Sequence, residues 1–412
     1  MVKIRLMHIL LIHQAYASLD EAGGTRHEEM ARYLVAHGHR VTVVASSLNY
    51  LSGKPNSEAK KWVSCKVIEP GLTILRCYTY PAFHRSFFHR TLAFISFMLS
   101  SFWVGLGVPK VDVIWGTSPP IFQALTAWLL AFLRRVPFVF EVRDLWPEFA
   151  IAVGVLRQPL LIWASERLER FLYRRAKRVI VNSPGFIDHV RTRGARWVEL
   201  VPNGADPRMF DPHSRGDDFR KRYGLQDAFV VLYAGAHGLS NDLGVVLDAA
   251  ELLKGYPSIR FVLVGDGKEK PGLVRDAQTR GLENLIFLPP FSKREMPRVL
   301  AAADACIAIL KPLEAYKTTY PNKVFDYMAA GRPVILAIDG VIRQVVEEAG
   351  AGIVVPPGNP RALADAVLRL VENKDLAWRM GAAGRKCIEV NFRRDQMAWR
   401  MMSIFEEVTG HG

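Results

Sequence analysis

The sequence predicts an α/β protein built from two facing, doubly wound domains with a cleft between them. Short apolar segments alternate with amphipathic helical ones along nearly all 412 residues, which indicates parallel sheets with crossover helices. The strand segments are almost wholly apolar, as expected when helices cover both faces of each sheet. Pro and Gly interrupt the alternation at 201–206 and leave two sets of comparable length. Because ligands of open α/β sheets bind outside the carboxyl ends of the strands, we expect the site in the cleft.

In the first half, each predicted strand is a run of Val, Ile, Leu or aromatic residues, and the predicted helices repeat apolar residues three or four apart. The predicted strands are Arg5–Ile12, Arg40–Ala45, Leu72–Tyr78, Val111–Trp115, Phe138–Val142, Arg178–Val181 and Trp197–Leu200. The predicted helices between them include Thr25–His37, Ile121–Arg134 and Pro159–Arg175.

The second half repeats this pattern. The predicted strands are Phe229–Ala234, Arg260–Val264, Leu285–Leu288, Ala305–Ile309, Pro333–Ala337 and Gly352–Val355. The predicted helices include Gly244–Leu253, Met296–Ala303 and Arg361–Glu372. A Met- and Trp-rich amphipathic helix near the end of the chain is expected to pack back on the first domain. The predicted domains are therefore 1–205, joined by the helix 392–412, and 206–391.

Composition and cysteine usage are those of an ordinary globular protein. Half of the residues are apolar and 23% are charged, so the chain can build cores and is not disordered. The four cysteines show neither Cys-x-x-Cys nor Cys/His spacing, which argues against structural zinc and favours a reducing compartment. Residues 4–12 are apolar but run into His13 and Asp20 without a small-residue cleavage site, so we interpret them as a strand rather than a signal peptide.

The net charge of +14 is concentrated in the first half of the chain. Residues 1–205 contain 26 Lys and Arg against 14 Asp and Glu, whereas residues 206–412 contain 28 against 26. A basic half favours an anionic partner: a membrane surface, a phosphate-rich substrate or nucleic acid. The alternative is a solvated basic surface without a specific partner.

The apolar segment 87–108 helps to choose among those partners. It is rich in aromatic residues, is flanked by Arg85, Arg90 and Lys110, and carries no charge over its last 18 residues. That length is about the minimum for a spanning helix, but serines and glycines interrupt the segment. We favour a helix that lies in the membrane interface; a buried soluble helix and a membrane span are the alternatives. Nucleic acid fits worst, because the basic residues are not interleaved with aromatic ones in a recognisable binding module.

The stretch Tyr320–Ile335 is the most informative part of the sequence. It reads Tyr-Pro-Asn-Lys-Val-Phe-Asp-Tyr-Met-Ala-Ala-Gly-Arg-Pro-Val-Ile, which predicts a short helix with one inward acid, a Gly-x-Pro turn and an apolar strand. The acid, Asp326, lies on a helix beside a sheet edge and suits a ribose diol. Lys323, one helical turn earlier, suits a diphosphate. The alternative is that Asp326 is merely an exposed helix residue.

Two glycine-rich turns after predicted strands are the next candidates. Gly23-Gly24 precede a predicted helix, so the backbone can approach an anion closely and the helix N-terminus offers free N–H groups. This turn lacks the Gly-x-Gly-x-x-Gly pattern, which counts against a nicotinamide or flavin dehydrogenase. In the second half, Gly235-Ala-His237 ends a strand, and Lys268 follows the next strand as a candidate phosphate-binding cation. The alternatives are tight loops without a ligand and a solvated lysine.

Arg143 and Asp144 follow another predicted strand, within Glu141–Glu148. Asp144 can orient an acceptor hydroxyl, and Arg143 can contact a phosphate with two hydrogen bonds. An Arg–Asp pair that only locks the loop is the alternative. The sequence shows no Asp-x-Asp pair at a strand end and no His/carboxylate cluster, so no metal or other cofactor is expected. Charge on a leaving group would then be stabilised by Lys and Arg side chains and helix N-termini.

Together these motifs resemble the retaining GT-B glycosyltransferases of family 4, of the bacterial O-antigen or capsule type and similar to N-acetylfucosamine and N-acetylhexosamine transferases. The stretch 320–335 resembles the sugar-nucleotide site of that family. Gly23-Gly24, with the Gly-His-x-Val-Thr-Val segment that follows, resembles its opening. Pro202–Asp206 resembles its Pro-Asn-Gly-x-Asp linker, and the resemblance continues to Gly350–Gly358.

The resemblance implies a metal-independent transferase whose two domains bind different substrates. The second domain would hold a UDP-sugar, such as a UDP-N-acetylhexosamine or a deoxy derivative, and the basic first domain a polyprenyl-diphosphate-linked or glycan acceptor. The enzyme would be cytoplasmic and peripheral on the inner face of the cytoplasmic membrane. The catalytic residues would be Asp144 and Arg143. The donor-binding residues would be Gly23, Gly24, Gly235, His237, Lys268, Thr318, Lys323 and Asp326.

The chain departs from the family pattern in three places. Arg143 stands where many relatives carry a His that touches the transferred sugar. Residues 239–242 lack the Arg and Lys that often follow the second glycine loop. Thr318 occupies the position of the first of two glutamates separated by seven residues, with Glu314 four residues upstream. We expect backbone groups around Thr318–Tyr320 to hold the sugar instead.

Two other functions are open at this point. A UDP-sugar 2-epimerase of the same fold would need several carboxylates or histidines clustered as acid and base groups, and the sequence offers few. A non-enzymatic, membrane-associated binding protein would use the basic charge and the 87–108 segment but would have no use for Lys323 and Asp326.

Overall fold

The computed structural model describes residues 6–49, 53, 62–81 and 87–410. Within them the chain forms two compact units. The described residues of Met1–Ser18, Gly23–Pro202 and Asp395–Gly412 form the first, and those of Leu19–Ala22 and Asn203–Arg394 form the second. Three parts of the predictions lie outside the described residues: the start of the first strand at Arg5, the flanking Arg85 and the chain end 411–412.

The elements of the first unit follow the predicted alternation of strands and helices. In chain order they are β1 (His8–Ile12), α1 (Arg26–Ala36), β2 (Arg40–Ser46), β3 (Val63–Glu69), β4 (Leu72–Cys77), α2 (Phe87–Gly107), β5 (Val113–Ser118), α3 (Ile121–Arg134), β6 (Phe138–Val142), α4 (Glu148–Ala152), α5 (Pro159–Arg175), β7 (Arg178–Val181), α6 (Ile187–Thr192) and β8 (Val198–Leu200).

The second unit continues the alternation to the end of the chain. Its elements are α7 (Asp217–Tyr223), β9 (Phe229–Ala234), α8 (Leu243–Leu252), β10 (Ile259–Val264), α9 (Lys270–Thr279), β11 (Leu285–Leu288), α10 (Met296–Ala301), β12 (Ala305–Ile309), a 3-10 helix (Glu314–Thr318), α11 (Asn322–Ala329), β13 (Val334–Ala337), α12 (Val341–Ala349), β14 (Gly352–Val354), α13 (Pro360–Glu372) and α14 (Lys374–Asn391). The final helix, α15 (Arg394–Thr409), belongs to the first unit for nearly all its length.

Strand β3 was not predicted from the sequence. It pairs antiparallel with β4 at the edge of the first sheet, whose order is β3-β4-β2-β1-β5-β6-β7-β8 and whose other pairs are parallel. Its residues are half-buried or exposed, and Ser64, Cys65 and Lys66 interrupt its apolar pattern. An edge strand with one partner needs no continuous apolar run, so the pattern that identified the central strands could not identify this one.

Strand β5 begins two residues later and ends three residues later than predicted. The Asp112 carboxylate accepts a hydrogen bond from the His8 backbone N–H (2.7 Å), so this residue turns into the sheet edge before the strand starts. Gly116 continues the strand because it is paired on both sides, with β1 and β6, and Thr117 and Ser118 continue it through their pairing with β6. Tertiary pairing here overrides weak strand propensity.

The second sheet has the order β11-β10-β9-β12-β13-β14, and all its strands are parallel. The strand order reverses between β9 and β12, and in the first sheet it reverses between β1 and β5. At such a reversal the connections leave in opposite directions and open a crevice at the carboxyl ends of the strands. The candidate residues are therefore to be sought after β9 and β12, and after β1 and β5.

Helices cover both faces of each sheet. In the first unit, α1 and α15 cover one face, and α2, α3 and α5 cover the other. In the second unit, the chain enters and leaves side by side: the Ala205 N–H donates to the Phe392 carbonyl (3.1 Å), and the Arg394 N–H donates to the Ala205 carbonyl (2.9 Å). The segments at the two ends of this unit are thus hydrogen-bonded to each other.

The final helix completes the core of the first unit. Phe405 is fully buried and its ring lies 5.4 Å from that of Trp115, a residue of the central strand β5. We expect Phe405→Ala to destabilise the first unit by about 3–5 kcal/mol, the usual cost of deleting a buried aromatic ring. Urea unfolding followed by tryptophan fluorescence measures this, because every tryptophan except Trp378 belongs to the first unit.

Trp399→Ala is the matched control on the same helix. Its side chain is exposed, so its loss should change the free energy of unfolding by less than about 0.5 kcal/mol. Equal effects of the two substitutions would show that α15 does not contribute to this core.

Candidate functional site

In the second unit, the carboxyl ends of β9 and β10 carry two interlocked glycine loops. A Cβ atom added at Gly265 would lie 1.8 Å from the Gly235 carbonyl oxygen, so only glycine allows the loops to approach this closely. At Gly235 an added Cβ would lie 2.8 Å from the Lys323 Nζ. The glycine after β9 therefore makes the space in which the lysine ammonium sits.

Lys323 lies at the start of α11 and reaches that loop. Its ammonium donates hydrogen bonds to the Tyr233 hydroxyl (2.8 Å) and the Asn241 side-chain oxygen (3.3 Å). It also lies 4.1 Å from the centre of the Tyr233 ring, within cation–π distance. No carboxylate forms an ion pair with it among the described residues. The ammonium thus has neutral partners and is available to an anionic ligand.

Burial lowers the pKa of Lys323 to about 7. Removing an ammonium from water disfavours its charged form, and here no acid offsets that effect. The side chain is still partly exposed, so a ligand can reach it. A bound phosphate would favour the charged form and raise the pKa again.

Asp326 lies one turn later on α11 and is paired. The Lys293 ammonium lies 2.7 Å from each of its carboxylate oxygens, and the Asn322 amide lies 3.4 Å from one of them. The side chains of Asp326 and Lys293 are only 14% and 6% exposed. These contacts fix the position of the carboxylate on α11.

His237 does not act as a cation. Its ring is fully buried, and neither ring nitrogen has a hydrogen-bond partner of normal geometry. Burial, together with the positive charges of Lys270 and Lys323, lowers its pKa to about 4. The imidazole is therefore neutral at physiological pH, and it cannot replace the positive charge that is missing from residues 239–242.

Lys268 is exposed, whereas Lys270 is packed into the loop. The Lys270 ammonium donates to the Gly265 carbonyl (2.7 Å) and the Leu288 carbonyl (2.8 Å) and so ties the loop after β10 to the end of β11. Burial lowers its pKa. Lys268 is open to solvent, and its contact with a ligand stays a prediction.

Thr318 and Glu314 lie on the 3-10 helix that precedes α11. The Thr318 hydroxyl donates to the Ala315 carbonyl (2.7 Å), so its side chain closes this helical turn. The Glu314 side chain is 86% exposed and pairs with Lys317 at 2.7 Å. Glu314 therefore points to solvent and does not take the place of the glutamate that Thr318 replaces.

In the first unit, a buried carboxylate organises the carboxyl edge of the sheet. Glu141 of β6 accepts hydrogen bonds from Arg26 Nε (3.0 Å), His27 Nε2 (2.8 Å) and Trp115 Nε1 (3.1 Å). The two other Arg26 nitrogens donate to the carbonyls of Val201 and Pro202, both at 2.8 Å. One arginine thus joins the start of α1 to the point where the chain leaves this unit.

The charge states in this cluster follow from burial. Burial would raise the pKa of Glu141, but its contact with His27 and then the positive charge of Arg26 hold the pKa well below its usual range. Burial lowers the pKa of His27 to about 4, so a neutral imidazole donates its Nε2 proton to Glu141. His13 lies with its ring centre 4.1 Å from that of His27, and its pKa is also lowered by burial.

Gly23 and Gly24 immediately precede this cluster. Both are exposed, and α1 begins two residues later at Arg26. Nothing would lie within 4 Å of a Cβ atom added at Gly24. The pair thus leaves the backbone open beside the N-terminus of α1, where an anion is favoured. Whether the pair contacts a sugar donor stays a prediction.

Arg143 and Asp144 follow β6 directly. Arg143 lies against the end of β5, where its Nε donates to the Ser118 carbonyl (3.3 Å). Asp144 is exposed, and its carboxylate has no ion pair among the described residues. The structure therefore does not contain the Arg143–Asp144 ion pair that was the alternative interpretation.

Helix α2 covers the 87–108 segment and has one buried and one exposed side. Ala93, Phe97, Ser100 and Ser101 are buried, whereas the helix shows bulky apolar residues to solvent. In the part of the chain that the structure describes, this is the one helix long and apolar enough to cross a membrane, and 28% of its most apolar window is buried. Lipid contact stays a prediction.

No group of three or more His, Cys, Asp or Glu side chains is arranged to hold a metal ion within residues 6–49, 62–81 and 87–410. The candidate ligand contacts in the second unit are lysines, backbone groups and one paired carboxylate. This set suits an anionic ligand with hydroxyl groups, such as a sugar diphosphate.

Sequence reasoning missed the residues that complete this site. Lys293, Lys270, Tyr233 and Asn241 hold Asp326, the second glycine loop and Lys323, but none of them stands in a motif. Only the order of strands could have indicated Tyr233, because it belongs to β9 beside the reversal of strand order. Lys293 follows β11 and reaches Asp326 across the fold, so no local signal connects the two.

Models of two protein families match the chain in succession. A model described as "Glycosyl transferase 4-like domain" matches residues 22–204, and one described as "Glycosyl transferases group 1" matches residues 228–373. A protein of Escherichia coli (strain K12) described as "Putative colanic acid biosynthesis glycosyl transferase WcaI" is 27% identical over 348 residues, which cover 81% of this chain and 85% of the relative.

Solved structures of other proteins have the same fold. Sucrose-phosphate synthase from Thermosynechococcus elongatus superimposes with a TM-score of 0.77 at 18% identity and covers 98% of this chain and 100% of that one. Anabaena HepE in complex with UDP and glucose superimposes with a TM-score of 0.73 at 18% identity and covers 97% and 100%. These likenesses confirm the predicted fold class of two Rossmann-like domains with parallel sheets.

The buried Lys293–Asp326 pair allows a direct test of its role in stability. We expect Lys293→Met to destabilise the second unit by about 3–5 kcal/mol, because it leaves a buried carboxylate without its partner. The double variant Lys293→Met/Asp326→Leu should lose much less than the sum of the two single variants. Urea unfolding followed by circular dichroism measures all three.

The exposed pair Lys317–Glu314 provides the control. Lys317→Met should leave the free energy of unfolding nearly unchanged, because exposed ion pairs contribute little. Additive losses at Lys293 and Asp326 would contradict the view that the two side chains depend on each other.

Proposed function

Because the chain belongs to the glycosyltransferases, with a 4-like domain followed by a group 1 domain, we propose that it transfers a sugar from a UDP-sugar to a lipid-linked or glycan acceptor in surface polysaccharide synthesis. The sugar we propose is an N-acetylhexosamine or a deoxy derivative. The E. coli relative named for colanic acid biosynthesis supports the polysaccharide product, and the HepE structure with UDP supports the nucleotide.

One observation carries this proposal: Lys323 and Asp326 lie one turn apart on α11, at the edge of the second sheet where the strand order reverses. The lysine ammonium faces the glycine loop after β9, and Lys293 holds the carboxylate in place. In our proposal Lys323 binds the diphosphate and Asp326 accepts from the ribose hydroxyls. Lys268, Gly235 and the backbone near Thr318 would line the rest of the donor, whereas the fully buried His237 ring would shape the loop after β9.

We propose a retaining transfer that forms the new bond on the face from which UDP leaves. The acceptor oxygen forms a bond to the anomeric carbon, and the bond from that carbon to the β-phosphate oxygen breaks. The acceptor proton passes to an oxygen of the departing UDP, so no enzyme nucleophile is required. Catalysis then consists of positioning and of stabilising negative charge, which Lys323 supplies without a metal ion.

The first unit would bind the acceptor. We assign Asp144 to orienting the acceptor hydroxyl and Arg143 to an acceptor phosphate, because both follow a strand at the carboxyl edge of the first sheet. Gly24 has open space beside it at the start of α1, and we assign it, with Gly23, to the donor rather than the acceptor. Contact of α2 with the inner face of the cytoplasmic membrane would bring a lipid-linked acceptor within reach.

The epimerase alternative has little support from the clustered acid and base groups. His13, His27 and Glu141 do lie together, but all three are fully buried and their function is to hold α1. A substrate cannot reach them without opening the unit. The alternative of a non-enzymatic binding protein leaves the unpaired Lys323 ammonium unexplained.

A donor panel tests the proposed nucleotide site. We expect a UDP-sugar at a hundred times its dissociation constant to stabilise the protein by about 2.7 kcal/mol in a thermal-shift measurement with EDTA present. Asp326→Ala should abolish that stabilisation relative to its own melting temperature. The matched control is Asp365→Ala on the exposed side of α13, which should keep it.

The outcomes of this panel separate the three functions. Stabilisation by no nucleotide sugar would overturn the transferase proposal in favour of a membrane-associated binding protein. A UDP-sugar that is converted to its C2 epimer without an acceptor would favour the epimerase. Binding that appears only when EDTA is replaced by magnesium would overturn metal independence.

The lowered pKa of Lys323 predicts how donor binding depends on pH. Binding requires the charged ammonium, whose pKa is about 7 before the ligand binds. We therefore expect a constant affinity for a UDP-sugar well below pH 7 and a fall of at most about tenfold per pH unit above it, since one proton is linked to binding. Isothermal titration calorimetry between pH 6 and 9 measures this.

Lys323→Arg is the control, since an arginine stays charged over the whole range. It should bind the donor with no pH dependence in this range, and Lys323→Met should bind weakly at every pH. An unchanged pH profile in Lys323→Met would assign the titration to another group.

A further inference from the structure

The first unit contains a second candidate site, at the amino ends of its strands. A groove of about 870 Å³ opens where α3 and α5 end and where β6 begins. We call it the basic groove, because five cationic residues line it. They are Arg135, Arg174, Arg175, Lys177 and Arg196.

The charge of the basic groove is not compensated by the protein. No acidic residue lines it, all five cations are exposed, and none forms an ion pair among the described residues. The nearby acids Glu199 and Glu407 are taken up by Arg178, which does not line the groove. The negative ends of the helix dipoles account for Arg174 and Arg175 in the last turn of α5 but not for Lys177 and Arg196. The groove therefore suits an anionic partner.

Bulky apolar side chains stand beside these cations. Phe132 and Trp197 line the groove and are 66% and 60% exposed. Leu133, near the end of α3, also lines it and is exposed. Isolated exposed apolar residues are common, but three beside five unpaired cations are the combination found at membrane interfaces. A soluble anion would have no use for the apolar rim.

Helix α2, whose end is joined to that of α3, carries an exposed apolar stripe of its own. Arg134, at the end of α3, donates hydrogen bonds to the Gly105 carbonyl (3.0 Å) and the Leu106 carbonyl (2.6 Å), so the two helices end together. The exposed residues of α2 form one stripe, because they are spaced by seven, four and four positions. They are Phe88, Ile95, Leu99 and Trp103.

From this arrangement we propose that the basic groove binds the phosphate headgroups of an anionic lipid bilayer, while its apolar rim and the α2 stripe lie in the membrane interface. The proposal extends the membrane contact of α2 put forward above and does not depend on the transfer reaction. In this proposal the layer formed by α2, α3 and α5 lies parallel to the membrane surface. The basic groove is at the end of the layer where α3 and α5 end.

This orientation places the groove away from the candidate acceptor residues but on the same layer. The groove is at the start of β6 and Arg143 follows its end, which for a strand of five residues is about 16 Å at the usual rise. Leu160 and Trp163, exposed at the start of α5, reach the membrane at that other end. A lipid-linked acceptor can then approach Arg143 and Asp144 from the bilayer while the groove holds the far end of the layer.

Vesicle sedimentation with the full chain tests the proposal. Wild-type protein should bind phosphatidylcholine vesicles that contain phosphatidylglycerol at least about tenfold more tightly than vesicles of phosphatidylcholine alone, and high salt should weaken this binding. The variant Arg135→Gln/Arg175→Gln/Lys177→Gln/Arg196→Gln should lose that preference. Phe132→Ser/Trp197→Ser should weaken binding to both kinds of vesicle.

The matched control removes the same charges from exposed positions of the second unit: Lys221→Gln/Arg361→Gln/Arg369→Gln/Arg379→Gln. It should bind vesicles as the wild type does. Equal losses in the two quadruple variants would overturn the proposal in favour of a general charge effect. A soluble anion would be the better partner if two results came together. Millimolar inorganic phosphate or single-stranded DNA would displace the wild type from vesicles, and Phe132→Ser/Trp197→Ser would bind vesicles as the wild type does.

Donor binding distinguishes this result from a failure of the proposed function. The groove variant should keep the thermal shift that a UDP-sugar produces in the wild type, which also shows that it is folded. Vesicle binding is measured without donor and is therefore independent of donor binding. If the protein binds vesicles through the groove but binds no nucleotide sugar, only the transferase proposal is overturned.

Discussion

A carboxylate buried in the first sheet, Glu141, constrains much of what surrounds it. A charge without water must be paired and hydrogen-bonded, and Arg26, His27 and Trp115 meet that requirement. Because Arg26 and His27 are the first residues of α1, the requirement fixes where that helix begins and thus where the Gly23-Gly24 backbone lies. The same Arg26 holds the carbonyls at which the chain leaves the unit.

In the second unit, by contrast, the buried Lys323 ammonium forms no ion pair among the described residues. The Lys323 ammonium contacts the hydroxyl and ring face of Tyr233 and the side-chain oxygen of Asn241. Gly235, which has no side chain, leaves the space that this ammonium occupies. Asp326, one turn away, is instead held by Lys293. The two charged residues of α11 therefore differ: Lys323 has no acidic partner and a lowered pKa, whereas Asp326 is held by an ion pair. An anion that binds between these groups meets a cation that it alone can neutralise.

The sequence predicted the parts of this arrangement that depend on local pattern. Strands such as Phe138–Val142 and Phe229–Ala234 were predicted with their observed bounds, because a continuous apolar run is required where both sheet faces are covered. The edge strand β3 has no such requirement and was missed. Lys323 and Asp326 were found because they share one short helix, whereas Lys293 lies 33 residues from its partner and was not.

The structure differs most from the sequence predictions where burial changes the charge or the contacts of a side chain. Nothing in the sequence around His237 indicates that its ring is enclosed, and enclosure is what makes it neutral. Lys268 and Lys270 are two positions apart in a flexible-looking loop, and only packing separates the exposed lysine from the one that ties two strand ends together. The charge balance of the first half was visible in the composition, but its concentration in one groove required the fold.

The hydrogen bonds of Ala205 with Phe392 and Arg394 have a consequence for how such a protein can be rearranged. They hold the two ends of the second unit side by side, and the chain then returns to complete the first unit with α15. In topological terms the second unit is an insertion whose two ends are adjacent. A homologous second unit could therefore be exchanged through two neighbouring junctions, while the helices of the first unit and the core around Phe405 stay as they are.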